Sequence, residues 1–261
     1  KPVITNGAPI WYPSMEPDST AIKDLQRVQN NAMRTITGAH RNSSQDHLLA
    51  ETKLLPISEN LNLICSQFLA SASRADHPSH STIKQPTGAR PGRKGVVHTL
   101  QSRFGHVVEP FLRDGVLSEA NYKKTISTIH TNTVAANKSA LTNKLLGRAP
   151  PDVNPEELLL PRLTQCTLCQ LRSTYCKCLK NYQAMIGSAP DDLCPICRGA
   201  SHTVEHLFDC PASPTALTFY DLWKHPREVV DYLRTLPFFS HLPPNPPPHR
   251  PWFHHLGFGS P

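Results

Sequence analysis

The chain has 261 residues, of which 26 are proline, with 38% hydrophobic and only 7% aromatic content. That length admits one or two domains with cores of their own, while the lean apolar content and the roughly doubled proline usage argue against a single compact globule. A formal net charge of +7 and a pI of about 9.0 favour a polyanion as partner, and no apolar run approaches membrane-spanning length.

Eight cysteines at irregular spacing, behind no signal-like apolar segment, suit metal ligands or free thiols. They point to an intracellular, reducing setting, nucleus or cytoplasm, and not to a disulfide framework. Starting at Lys1 without Met, the chain is expected to be a fragment of something longer.

Residues 1 to 17 read as a short extended segment broken by Gly7 and prolines. Asp18 or Ser19 can cap the helix that follows, whose Ile22, Leu25, Val28, Ala32 and Ile36 recur at helical spacing until Gly38 stops it. Lys23, Arg27 and Arg34 lie off that stripe, either as a solvated face or as phosphate contacts. A second helix is expected around Gln45 to Thr52. A third follows Pro56 and ends near Asp76, with Ile57, Leu61, Ile64, Phe68 and Leu69 on one face.

Residues 76 to 97 form a linker punctuated by Pro and Gly and charged by Arg90, Arg93 and Lys94. From Lys84 to Arg148 the chain carries eleven Lys or Arg against three acids, a local surplus larger than the +7 of the whole chain. Within this band a helix from about Glu119 to Ala136 carries Lys123 and Lys124, and Pro150 and Pro151 end the region.

One long helix is expected from about Pro161 to Gly187, proline suiting its first turn and glycine its end. It contains Cys166, Cys169, Cys176 and Cys178. On a helix the last two point about 160 degrees apart, so these thiols read as small buried hydrophobes before they read as a second metal site. A short aromatic segment from Ser213 to Trp223 and a helix from Pro226 to Leu236 follow the last cysteines. The Pro- and His-rich tail from Pro237 is expected to be disordered.

The most specific pattern lies between Asp191 and Pro211. Cys194 and Cys197 form a C-x2-C pair, and His206 and Cys210 follow four residues apart, the spacing that puts two side chains on one helix face. Together they make a closed Cys3His set for a structural zinc, which contributes folding energy and keeps no position open for a reacting water. His202 is the rival fourth ligand, because C-x2-C-x4-H opens a retroviral-type knuckle. That pattern next requires a cysteine at position 207, where this chain has Leu207, so the spacing favours His206.

Several strings, in order, resemble the C-terminal part of the reverse transcriptase polyprotein of jockey-type non-LTR retrotransposons. They are Gly7-Ala8-Pro9-Ile10-Trp11-Tyr12-Pro13, Leu25-Gln26-Arg27-Val28-Gln29-Asn30, Arg34-Thr35-Ile36-Thr37-Gly38, Glu51-Thr52-Lys53-Leu54-Leu55-Pro56, His98-Thr99-Leu100-Gln101-Ser102, Gln170-Leu171-Arg172-Ser173 and Cys194 to Cys210. The resemblance runs to about Leu233. It implies a thumb remnant over 1–40, a helical connector over 41–75 and 98–189 on either side of the basic linker, a zinc knuckle with its closing helix over 190–236, and the tail over 237–261.

It further implies RNA and DNA, as template and primer, as partners, together with upstream polymerase domains of the same polyprotein. The polymerase acids of that family lie upstream of the thumb. Asp191-Asp192 lacks the preceding aromatic-x pair, precedes Cys194 in a loop, and is rejected as catalytic. The fold expected is therefore mainly α with a small zinc-stabilised knuckle. The function expected is nucleic-acid binding by Arg27, Arg34, Arg90, Arg93, Lys94, Lys123 and Lys124, with no enzyme activity in this part alone. A zinc-stabilised protein-interaction module is the alternative, and Phe208 reads as core of the zinc unit or, less readily, as a stacking platform.

Overall fold

The computed structural model describes residues 5–84 and 95–246. The protein is mainly helical, and the described residues make only isolated antiparallel bridges, Arg113 with Val116, Asn143 with Arg148 and Leu193 with Ser201. The helices are α1 (Ala8–Trp11), α2 (Thr20–Thr37), α3 (Gln45–Thr52), α4 (Ile57–Ala72), α5 (His80–Lys84), α6 (Val96–Val108), α7 (Glu119–Ala140), α8 (Arg162–Arg172), α9 (Lys180–Met185), α10 (Val204–Asp209), α11 (Asp221–Lys224) and α12 (Pro226–Thr235). They sort into two compact units, Lys1–Ala32 with Lys53–Leu141, and Met33–Thr52 with Thr142–Pro261.

In the first unit α4 is the central helix, packed by α6 and α7. Leu61, Cys65, Leu69 and Ala72 recur every three or four residues along it and are buried together with Leu100, Phe104 and Ile129. Residues 8–14, expected to be extended, instead wind into α1 and a 3-10 turn. Pro9 suits a first helical turn and Gly7 enters it with φ 63. Tyr12 is fully buried there. Arg103 donates to the carbonyl oxygens of Tyr12 (3.3 Å) and Met15 (2.9 Å) and to Tyr12 Oη (3.0 Å), with its guanidinium 4.4 Å from the ring centre. This cation of the basic band is thus spent inside the fold.

In the second unit the expected long helix is two. Its stop is a Schellman turn, in which Tyr175 N–H donates to Gln170 O (3.1 Å) and Thr174 N–H to Leu171 O (2.9 Å), while Thr174 takes φ 66. A glycine normally fills that position, so the threonine concealed the break. Gly187, with φ 73, ends α9 as its residue type suggests. Residues 237–246 join the core and do not open the tail, because Phe239 and Leu242 are buried against the α12 residues Val229, Val230 and Leu233. Residues 247–261 lie outside the described residues.

The centre of this unit is polar. Arg172, wholly buried at the end of α8, uses all five of its N–H groups. Nε and Nη2 donate to the two oxygens of Glu51, each at 2.7 Å. Nη1 and Nη2 donate to the two oxygens of Glu157 at 2.7 and 2.8 Å, and Nη1 also donates to Leu222 O at 2.9 Å. One side chain therefore ties together α3, the 155–159 turn, α8 and α11. Nearby, Gly38 takes φ 70, and a Cβ there would collide with Cys166 Sγ.

Removing a buried cation leaves its carboxylates desolvated and unpaired, at a cost of about 3–5 kcal/mol. Arg172→Met is expected to lower the stability of this unit by that amount in urea unfolding. Replacing Glu51, Glu157 and Arg172 together by apolar residues recovers most of the loss.

Candidate metal centre

The loop from Leu193 to Ser201 is short because its own backbone closes it. The Leu193–Ser201 bridge brackets it, Cys194 N–H donates to Ala200 O at 2.8 Å, and Arg198 N–H donates to Cys194 O at 2.9 Å. Arg198 adopts φ 54, and the turn it makes aims Gly199 N–H at Cys197 Sγ, 3.4 Å away. Thr203 Oγ1 then accepts from His206 N–H at 3.2 Å and so caps α10. Val204, Leu207 and Phe208 bury one face of α10, which leaves His206 on another and Cys210 just past its end.

These elements bring four donors together. Cys194 Sγ lies 3.9 Å from Cys210 Sγ, Cys197 Sγ lies 3.2 Å from His206 Nε2, and one ligand atom from each of the four residues falls within 4.8 Å of all the others. The cluster could hold a metal ion. The Gly199 N–H favours the Cys197 thiolate and pulls that thiol down to about 6, ready for a cation, whereas burial pushes Cys210 up. Charge-assisted N–H···S contacts of this kind are what a bound metal needs around its ligands, and only the glycine after Arg198 signalled this one in the sequence.

His202 is not in the cluster. It is buried, its Nδ1 accepts from Lys180 N–H at 3.1 Å, and its ring meets Phe238 edge-on at 4.6 Å. Burial pushes its pKa down to about 4, so it is neutral and serves as packing. Asp191 and Asp192 are the lead-in to the loop. Asp191 Oδ1 accepts from Leu193 N–H at 3.1 Å, and Asp192 O accepts from His202 N–H at 2.7 Å. Phe208 is buried in the core beside Tyr232, with ring centres 5.9 Å apart, and offers no stacking face.

The candidate phosphate contacts are scattered. Lys123 and Lys124 are exposed and adjacent on α7. Arg27 is exposed and paired with Asp24 at 2.6 Å, and Arg34 Nη2 lies 3.5 Å from Ser43 O. Arg90, Arg93 and Lys94 lie outside the described residues. Lys144, elsewhere in the basic band, sits over the Tyr175 ring at 5.0 Å.

A second grouping, His47, Glu51 and Cys169, also falls within 4.8 Å. It is less suited to an ion, because both Glu51 oxygens are held by Arg172 and burial pushes the Cys169 thiol well up. Of the other thiols expected on the long helix, Cys176 and Cys178 lie in the turn between α8 and α9, and Cys166 and Cys178 are half-buried. Cys176 is core, Cys166 packs on Gly38, and all eight cysteines are free. Compared with protein-family models, curated proteins and solved structures, the chain matches none.

The geometry separates the two histidines. Cys194→Ser, Cys210→Ser and His206→Ala are expected to abolish or nearly abolish metal binding, whereas His202→Ala retains it at one ion per chain. Metal analysis of the purified variants decides this, and retention by His206→Ala with loss by His202→Ala would reverse the assignment.

Proposed function

We propose that this protein is a zinc-stabilised helical segment that binds the phosphate backbone of RNA or DNA, as the C-terminal part of a non-LTR reverse transcriptase. The observation that carries the zinc assignment is the closed four-donor cluster. Bonds of about 2.3 Å to sulfur put tetrahedral thiolates roughly 3.8 Å apart, and the Cys194–Cys210 separation of 3.9 Å fits. Three thiolates and one imidazole, with no carboxylate in the set, select zinc over hard cations. The ion's contribution is structural. It holds the 194–200 turn against α10, where Val204, Leu207 and Phe208 enter the core. No substrate position remains, so the reading gives this part no chemistry of its own and leaves polymerisation to upstream domains.

The nucleic-acid side of the reading rests on the basic band. Lys123 and Lys124 stand exposed on a helix whose buried residues are only Thr125 and Ile129. Arg27 can exchange its exposed partner Asp24 for a phosphate, since surface ion pairs contribute about 0–1 kcal/mol. Such contacts position a backbone without reading sequence. Free thiols and a thiolate-bound metal fit an intracellular, reducing setting, in nucleus or cytoplasm. Among the described residues no helix is long and apolar enough to cross a membrane.

A protein-docking function is favoured by a different observation. Leu158, Leu159 and Leu163 are 77%, 52% and 49% exposed within one short stretch of the second unit.

Salt separates these readings. Neutralising Arg90, Arg93, Lys94, Lys123 and Lys124 together is expected to weaken binding of unrelated RNAs about equally. It also flattens the slope of log affinity against log salt, by about 0.9 on a duplex or 0.7 on a single strand for each phosphate no longer neutralised. Superimposable lines for wild type and variant would reject the phosphate contacts and favour docking through the exposed leucines.

A further inference from the structure

The break after Arg172 changes the chemistry of two cysteines. On one continuous helix Cys176 and Cys178 would point about 160 degrees apart. They lie instead in the turn that joins α8 to α9, which Leu179 N–H closes by donating to Cys176 O at 3.1 Å. In that turn the two side chains meet. Cys176 S–H donates to the Cys178 sulfur, and Cys178 N–H donates to Cys176 Sγ. Residues two apart in a tight turn have Cα atoms about 5–6 Å apart, a separation that a disulfide spans without backbone movement.

The pair is set apart from the other thiols of the chain. Cys194, Cys197 and Cys210 belong to the metal cluster, Cys166 packs on Gly38, and burial pushes the Cys65 and Cys169 thiols up. Cys178 is half-buried, and His241 Nε2 lies 4.0 Å from its sulfur. The hydrogen bond from Cys176 favours the Cys178 thiolate and holds that thiol below the ordinary cysteine value. Cys176 is wholly buried, and the same bond together with burial holds it well above. One sulfur is therefore within reach of small reagents and nucleophilic, while the other is shielded from them and in contact with the first.

From this arrangement we infer that Cys178 is a site of oxidation by hydrogen peroxide and that Cys176 resolves the product to a disulfide. The Cys178 proton passes to the exposed His241 imidazole. The thiolate then attacks one peroxide oxygen. An S–O bond forms, the O–O bond breaks, and the departing hydroxide takes up a proton and leaves as water, so that Cys178 becomes a sulfenic acid. The Cys176 sulfur next attacks the Cys178 sulfur. The S–S bond forms, the S–O bond breaks, and the Cys176 proton leaves with the hydroxyl group as a second water. Two thiols have given up two electrons, and the peroxide has taken them. A dithiol reductant returns both thiols by exchange. None of these steps uses a metal ligand or depends on nucleic acid, so this inference stands apart from the proposed function.

The test treats the full zinc-loaded chain with a stoichiometric amount of hydrogen peroxide and maps every cysteine by peptide mass spectrometry. The wild-type peptide that holds Cys176 and Cys178 is expected to lose two hydrogens, to regain them with dithiothreitol, and to do so while zinc stays bound. Cys176→Ala cannot close the bridge, so its Cys178 is expected to be trapped by dimedone as the sulfenic acid and to go on to a sulfinic acid that dithiothreitol does not reverse. Cys178→Ser is expected to leave the Cys176 thiol unmodified. His241→Ala, a change at an exposed side chain, is expected to slow the loss of the Cys178 thiol without altering the circular dichroism spectrum, which guards against a core variant that merely unfolds. Cys178 oxidised no faster than Cys166, or bridged to a cysteine other than Cys176, would overturn the inference. So would oxidation confined to Cys194, Cys197 and Cys210, with zinc released and Cys176 and Cys178 still reduced.

Discussion

The second unit is organised by the demand that one buried guanidinium be fully hydrogen-bonded. Arg172 satisfies it by collecting Glu51, Glu157 and the Leu222 carbonyl, residues as far as 121 positions away in sequence, into one plane of five donors. A lone charge in that position would be intolerable, and so would either carboxylate without it. The arrangement therefore does not add much net stability over a well-packed apolar centre. What it supplies is register, because only one mutual placement of α3, α8 and α11 satisfies all five N–H groups. Arg172 is also the last residue of α8. The chain then turns through Thr174, and that turn sets Tyr175 and α9 beside the cysteine loop.

Local and long-range physics divide the molecule in a way that explains what was legible in its sequence. The cluster of Cys194, Cys197, His206 and Cys210 could be read directly, because a tight turn and a helix face are local devices with fixed spacings. So could α2, α3, α4 and α12 as elements, although the apolar stripe expected on α2 is not its buried face, since Val28, Ala32 and Ile36 are exposed while Met33 is buried. The burial of His202 was less accessible. It depends on Phe238, inside a stretch whose prolines suggested a tail. Prolines there coexist with Phe239 and Leu242, and two well-placed apolar side chains suffice to hold them.

The misreadings share a cause. The break after Arg172 lacks the glycine that ordinarily announces a helix end, and the early turns at Ala8–Ser14 form because Tyr12 finds Arg103, 91 residues away. Arg172 itself looked like one more positive charge, although it is the least solvated cation described. Charge counting gave the right sign for the basic band but could not tell which cations remain available. Arg103 is spent on backbone carbonyls and Tyr12, whereas Lys123, Lys124 and Lys144 stay exposed.

Cys194, Cys197, His206 and Cys210 could hold a metal ion, and the proposed zinc would find no position open among them. X-ray absorption at the zinc edge on the intact chain measures that shell directly. Three sulfurs at about 2.3 Å and one imidazole nitrogen at about 2.0–2.1 Å, with no oxygen, are expected. A shell with a bound water or carboxylate oxygen, or with two sulfurs only, would contradict it.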